Sequence, residues 1–170
     1  MTFEEFAAGR LPAVLRFAAV LTGDRAGAED VVQEVLIRVY QRWDTIGGLD
    51  RPELYVRKMI INEFISSRRR LWRLVPAGRG SDLDDRVTPD HSGGQVERQA
   101  LLAELAKLPG RQRAVVVLRY YEELPDGQIA EVLGCAPATV RSLAFRALAT
   151  LRVEVSEQRD PAAMPRKDGS

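Results

Sequence analysis

The stretch PDGQIAEVLGCAPATVRSLAFRALATLR, residues 125–152, decides how the second half of this chain folds. It divides into two short helical runs on either side of Gly134, and Ala130, Gly134 and Val140 fall at the spacing of a helix-turn-helix. Ala130 has to be small because the second helix crosses close to it. Gly134 can take the left-handed backbone conformation that ends the first helix, and Val140 fills the angle between the two. One side of the second helix carries Arg141, Ser142, Phe145 and Arg146. That polar, basic and aromatic set suits contact with base edges and phosphates in a major groove. The same runs without DNA would be an ordinary helical hairpin, so the rest of the chain has to be weighed.

Working outward, the composition sets limits. The chain has 170 residues, 45% hydrophobic and 29% charged, with a formal net charge of +1. This is a globular balance, large enough for one medium domain or two small ones. No apolar run reaches the ~18 residues of a membrane span, and the acidic, amphipathic start MTFEEFAAGR is unlike a signal peptide. The one cysteine, Cys135, has no partner for an internal disulfide, and a cytoplasmic location is expected. A near-neutral total can still hide basic faces. Arg68, Arg69, Arg70 and Arg73 cluster in the first half, Arg141, Arg146 and Arg152 mark the last helix, and Asp82, Asp84, Asp85 and Asp90 fall between them.

Hydrophobic periodicity makes the chain all-α, in two lobes. Residues 3–22 have a helical stripe with Pro12 as an expected interruption. Asp24 is placed to cap a second helix whose buried stripe is Val31, Val32, Val35, Leu36 and Val39, and whose outer side carries Glu34, Arg38 and Arg42. The sequence DTIGGLD, residues 44–50, breaks that helix. Asp50 and Glu53 suggest a capping box with Pro52 in the first turn of a third helix, reaching about residue 72. Residues 76–95 lose periodicity and gain Gly, Pro, Ser and Asp, an acidic flexible linker. Helical pattern resumes through Leu105 and Leu108, and again from Arg111 to Tyr121, before the helix-turn-helix. The expected domains are therefore 1–75 and 96–155, with a disordered tail over 156–170.

Catalytic chemistry finds little support. His91 lies in the linker, far along the chain from Cys135, and a nucleophilic pair would need both fixed within hydrogen-bond reach. No Cys/His cluster has metal-binding spacing and no Gly-rich phosphate loop is present. An enzyme is not expected, nor a metal or cofactor. The third helix, YVRKMIINEFISSRRR (55–70), offers something else: Tyr55, with Trp43 nearby in sequence, could stack on unpaired bases, Asn62 could read a base edge, and the arginines could hold phosphates. Equally, Tyr55 and Trp43 could be core aromatics and the arginines a solvated helix end.

The order of parts then carries a resemblance. AEDVVQEVLIRVYQRW (28–43) is similar to sigma factor region 2.2, YVRKMIINEFISSRRR to regions 2.3–2.4, and residues 101–148 to region 4. Across roughly residues 3–153 the chain resembles a bacterial extracytoplasmic-function (ECF) sigma factor of the sigma-70 family, in the style of the actinobacterial SigE-like subgroup. The resemblance implies a region 2 three-helix bundle and a region 4 helix-turn-helix domain, and a dissociable subunit that gives RNA polymerase its promoter choice. It implies that Asp30, Gln33, Glu34 and Arg38 dock on core polymerase, that Asn62, Ser66 and Arg69 face the −10 element, and that Arg141, Ser142, Phe145 and Arg146 enter the −35 major groove. Tyr55 stands where tryptophan is common, Ser66 where aspartate is frequent, and Leu143 where many members carry a polar or basic residue, which bears on −35 preference. A monomer when free, with core polymerase, promoter DNA and an anti-sigma factor as partners, follows from the same likeness. The competing class is a stand-alone operator-binding regulator, with residues 1–75 sensing or dimerising.

Overall fold

The computed structural model describes residues 1–74 and 95–158. Among them there are helices and turns but no strand. The linker, apart from residue 95, lies outside the described residues together with His91, as does the chain beyond Gln158.

The first lobe is built from α1 (Phe3–Thr22), α2 (Arg25–Gln41), the single turn α3 (Trp43–Ile46) and α4 (Pro52–Leu74). Helix α1 opens with a capping box, in which the Glu5 amide donates to Thr2 Oγ1 at 3.2 Å and the Thr2 amide donates to the Glu5 carboxylate at 2.8 Å. It closes at Gly23, whose φ of 73° is the left-handed turn that a side chain would oppose. Asp24 caps α2 as its position predicts, accepting from the amides of Ala26 and Gly27. Helix α4 is entered one residue later than the predicted box: the Arg51 carbonyl accepts from Leu54 and Tyr55, which leaves Asp50 outside.

Pro12 does not interrupt α1, which runs unbroken through it. Pro12 and the preceding turn at Ala8 and Gly9 are exposed, so the carbonyl that Pro12 cannot serve faces water rather than protein.

The second lobe is α5 (Gln95–Ala106), α6 (Gly110–Val116) running into a π-helical turn (Val117–Tyr121), α7 (Asp126–Leu133) and α8 (Pro137–Gln158). Helix α8 thus continues past residue 156, where the tail is expected to begin. From Arg113 to Leu118 every residue is buried. A helix buried all round needs neighbours on both sides, and α6 has them: α8 on one side, α4 of the first lobe on the other.

The two lobes therefore pack against each other and share one hydrophobic core, from Phe17, Leu21 and Ile60 to Leu118, Ile129 and Val140. Polar contacts cross the seam. The Arg113 guanidinium, 3% exposed, donates from Nη1 to the Leu21 carbonyl at 3.0 Å and from Nη2 to the Ala106 carbonyl at 2.5 Å. It thereby serves the C-terminal carbonyls of α1 and α5 together, lying 5.3 Å from the Phe64 ring. Arg57 and Glu122 form an ion pair at 2.5 Å, although the Nε–H is not aimed as a hydrogen bond, and Arg51 lies 3.8 Å from Glu131. Among the described residues no single helix is long and apolar enough to cross a membrane.

Candidate nucleic-acid and polymerase interfaces

Helices α7 and α8 meet at 97°, within the range of a DNA-binding helix-turn-helix. Ala130 and Val140 are buried at the crossing, and Gly134 has φ 63°. A Cβ at Gly134 would touch nothing, so the backbone conformation, not space, is what requires glycine there. Cys135 sits in the turn, half-buried against the core. Along α8, Val140, Ala144 and Ala147 face inward while Arg141, Ser142, Phe145 and Arg146 are exposed together on the outer face. Phe145 is 76% exposed, an aromatic ring held in water between two arginines. Ser142 Oγ donates to the Ala138 carbonyl at 3.1 Å, leaving its lone pairs outward. Leu143 is not on this face: it packs against the core. Its side chain is half-buried there, beside the exposed face and not part of it.

In the first lobe, Asn62, Ser66 and Arg69 are exposed on one strip of α4, at the i, i+4, i+7 spacing of a helix face. Tyr55 extends the strip by two turns and is half-exposed. Trp43 behaves differently: its ring packs on Phe6 at 4.9 Å, and its Nε1 donates to the Met1 carbonyl at 3.2 Å. It is a core aromatic, and Gly47 is pressed so close that a Cβ would lie 2.8 Å from its indole. The arginine block also divides. Arg69 and Arg73 point to solvent, Arg68 lies 5.5 Å from the Phe64 ring, and Arg70 turns back to Glu63.

On α2, Asp30, Gln33 and Glu34 are exposed and Arg38 is half-buried beside them. Gln33 borders an open apolar groove of about 670 Å³ between α1 and α2, with Phe3, Leu11, Leu36, Ile37 and Tyr40 in its walls. Arg38 faces the other way, donating to Glu34 and to Glu63 of α4, each at 2.8 Å. Burial pushes the Glu63 carboxyl up, but hydrogen bonds from Arg70 and Arg38, the Arg38 charge and the Ser67 hydroxyl outweigh it and hold the group below its ordinary value. Hydrogen bonds to Glu34 and Glu63 push Arg38 up in turn.

Residues 8–74 match Sigma-70 region 2 and residues 98–151 match Sigma-70 region 4. The chain is 35% identical to an RNA polymerase sigma-E factor of Streptomyces avermitilis, over 99% of its own length and 93% of that protein's. The chain belongs to the ECF sigma factors of the sigma-70 family. It is also 38% identical to the ECF sigma factor SigL of Mycobacterium tuberculosis, over 84% of this chain and 82% of that one. A solved structure of the sigma factor RpoE with the anti-sigma factor NepR from Bartonella quintana superposes with a TM-score of 0.76 at 25% identity, covering 92% of this chain and 98% of that one. This sigma factor accordingly works with RNA polymerase on promoter DNA.

Two residues of this sigma factor escaped sequence reasoning. Glu63 and Arg113 are the buried charged residues among the described ones. The signal was present in both cases: Glu63 interrupts the apolar run MIINEFI, and Arg113 precedes AVVVL, so each puts a charge on an inward stripe. A charge there has to find partners, and each residue has one nearby on the chain and one far from it: Arg70 and Arg38 for Glu63, the Ala106 and Leu21 carbonyls for Arg113.

Proposed function

We propose that this sigma factor divides promoter recognition between its lobes, with the domains running 1–75 and 96–155, the linker over 76–95 and a tail over 156–170. The strip Asn62, Ser66 and Arg69 on α4 meets the −10 element, where Asn62 offers a donor and an acceptor to a base edge and Arg69 a phosphate contact. The outer face of α8, with Arg141, Ser142, Phe145 and Arg146, enters the −35 major groove; the arginines supply guanine and phosphate contacts and Phe145 can meet a thymine methyl. Asp30, Gln33, Glu34 and Arg38 on α2 dock on core polymerase. Opening is driven by capture of unpaired bases, without catalysis by the sigma factor itself, and the free protein acts in the cytoplasm as a monomer.

The observation that carries this reading is the sorting on α8, where all four proposed DNA-contacting residues are exposed while the residues between them close the core. Because the RpoE of Bartonella quintana was solved with an anti-sigma factor, a partner of that kind is proposed here too, covering the α2 docking face until a signal releases it.

Run-off transcription with core polymerase tests the assignment. Arg141→Ala should weaken −35-dependent binding by about 1–3 kcal/mol. Asn62→Ala should slow opening more than it weakens core binding. If both variants initiate like the wild type, the assigned faces are wrong.

A further inference from the structure

Between α2 and α4 lies an open polar cleft of about 410 Å³ lined by Asp30, Glu34, Arg38, Glu63, Ser67 and Arg70. Its floor is the Glu63 carboxylate, whose side chain is 7% exposed. Oε2 accepts from Arg38 on α2 at 2.8 Å, while Oε1 accepts from Arg70 at 2.7 Å and from Ser67 Oγ at 3.2 Å. Arg38 continues to Glu34, so the chain Glu34–Arg38–Glu63–Arg70 runs without a gap from the α2 docking face to the DNA-facing end of α4.

This chain of charges is not the only tie between the two helices. Helices α2 and α4 also pack on each other, and Val35, Val39, Ile60, Ile61 and Phe64 are all buried in the common core. Buried ion pairs are in general no better for stability than apolar side chains of the same volume. What a directional network adds is a fixed rotation and axial register, because hydrogen bonds weaken steeply with angle whereas apolar contacts slide. Glu63 is the immediate neighbour of Asn62.

We propose that Glu63 is a positioning residue for promoter opening: it locks α4 to the docking helix so that Asn62, Ser66 and Arg69 are presented at a fixed height and angle to DNA held on the docked polymerase. The proposal rests on the reading of α2 and α4 given above. Misplacement of a binding group by about 1 Å can cost on the order of 10²-fold in rate, so a loosened α4 would be felt in opening rather than in docking.

The experiment uses the full-length protein with core polymerase on a promoter from which the wild type initiates. Glu63→Gln keeps the shape and removes the charge. It should bind core nearly as the wild type does, because Arg38 keeps Glu34 as its partner on the docking face, and open the promoter at least about tenfold more slowly. The double variant Glu63→Gln/Arg70→Met should open no more slowly than Glu63→Gln alone, because both act through one joint. Opening at the wild-type rate, additive losses in the double variant, or a parallel loss of core binding, opening and Tm would each overturn the proposal. Should Glu63→Gln fail to fold, Glu63→Asp, which keeps the charge on a shorter arm, decides by the same split between core affinity and opening. Asn62→Ala serves as the control: if it too opens normally, the reading of α4 is at fault; if it is slow while Glu63→Gln is normal, the positioning role alone fails.

Discussion

Gly134 and Glu63 mark the two ways in which a single residue matters here. Gly134 is required by its backbone, with φ 63° and open space where a Cβ would stand. Gly134→Ala should therefore lower stability by about 1 kcal/mol, a cost of conformation rather than of collision. Denaturant unfolding would show it, with the m-value unchanged. Glu63 matters through its charge. Its carboxyl is held below the ordinary value of about 4.5, so its interactions stabilise the fold fully above that pH and are lost as the pH falls through the lowered folded value. Between neutrality and about pH 5 the group should contribute a constant amount. In more acid solution the wild type should lose more Tm than Glu63→Gln, in which no carboxyl titrates. A Tm difference between the two that stays constant from pH 7 to about pH 3 would refute this account.

Helices were the most legible level, because a helix declares itself locally. The Asp24 cap, the valine stripe of α2 and the αL glycine of the helix-turn-helix were all written in neighbouring residues, and each stands where it was read. The errors came where the outcome depends on what surrounds an element. Pro12 looked like a break, yet its freed carbonyl lies on the wet side of α1. The π-helical turn after α6 has no sequence signature of its own, and its course runs from the buried Val117 and Leu118 out to the exposed Tyr120 and Tyr121. At Pro12 the cost of the missing hydrogen bond is still present. Pro12→Ala should raise stability by about 1–3 kcal/mol, the lower part of the range reflecting its solvent-exposed site. Chemical denaturation measures the gain, and transcription by the variant should match the wild type, since Pro12 belongs to neither proposed DNA face nor the docking face.

Across the whole molecule, a sequence read as two tethered lobes folds into lobes that touch. That contact was illegible because its parts are far apart in the chain: Arg113 with Leu21, Arg57 with Glu122, Arg51 with Glu131. It has a consequence for the proposed division of labour. The proposed division of labour gives each lobe its own promoter element, and the contacts on the seam, which hold α4 against α6 and α7, oppose any parting of the lobes on DNA. Arg113 cannot test this cleanly, because it also serves the Ala106 carbonyl within the second lobe. The Arg57–Glu122 pair can, since it joins one lobe to the other and both side chains are largely withdrawn from water, at 20% and 12% exposure. Removing one partner leaves the other poorly solvated, a penalty charged to the closed form alone. Arg57→Gln should therefore shift the free protein toward separated lobes, raising the radius of gyration in small-angle scattering while helix content by circular dichroism stays the same. Glu122→Gln should do likewise. The double variant should open no further than either single one, because the second change removes a charge already without its partner. Scattering curves identical to the wild type for both single variants would mean that the apolar seam around α6, and not this pair, decides how the lobes are held.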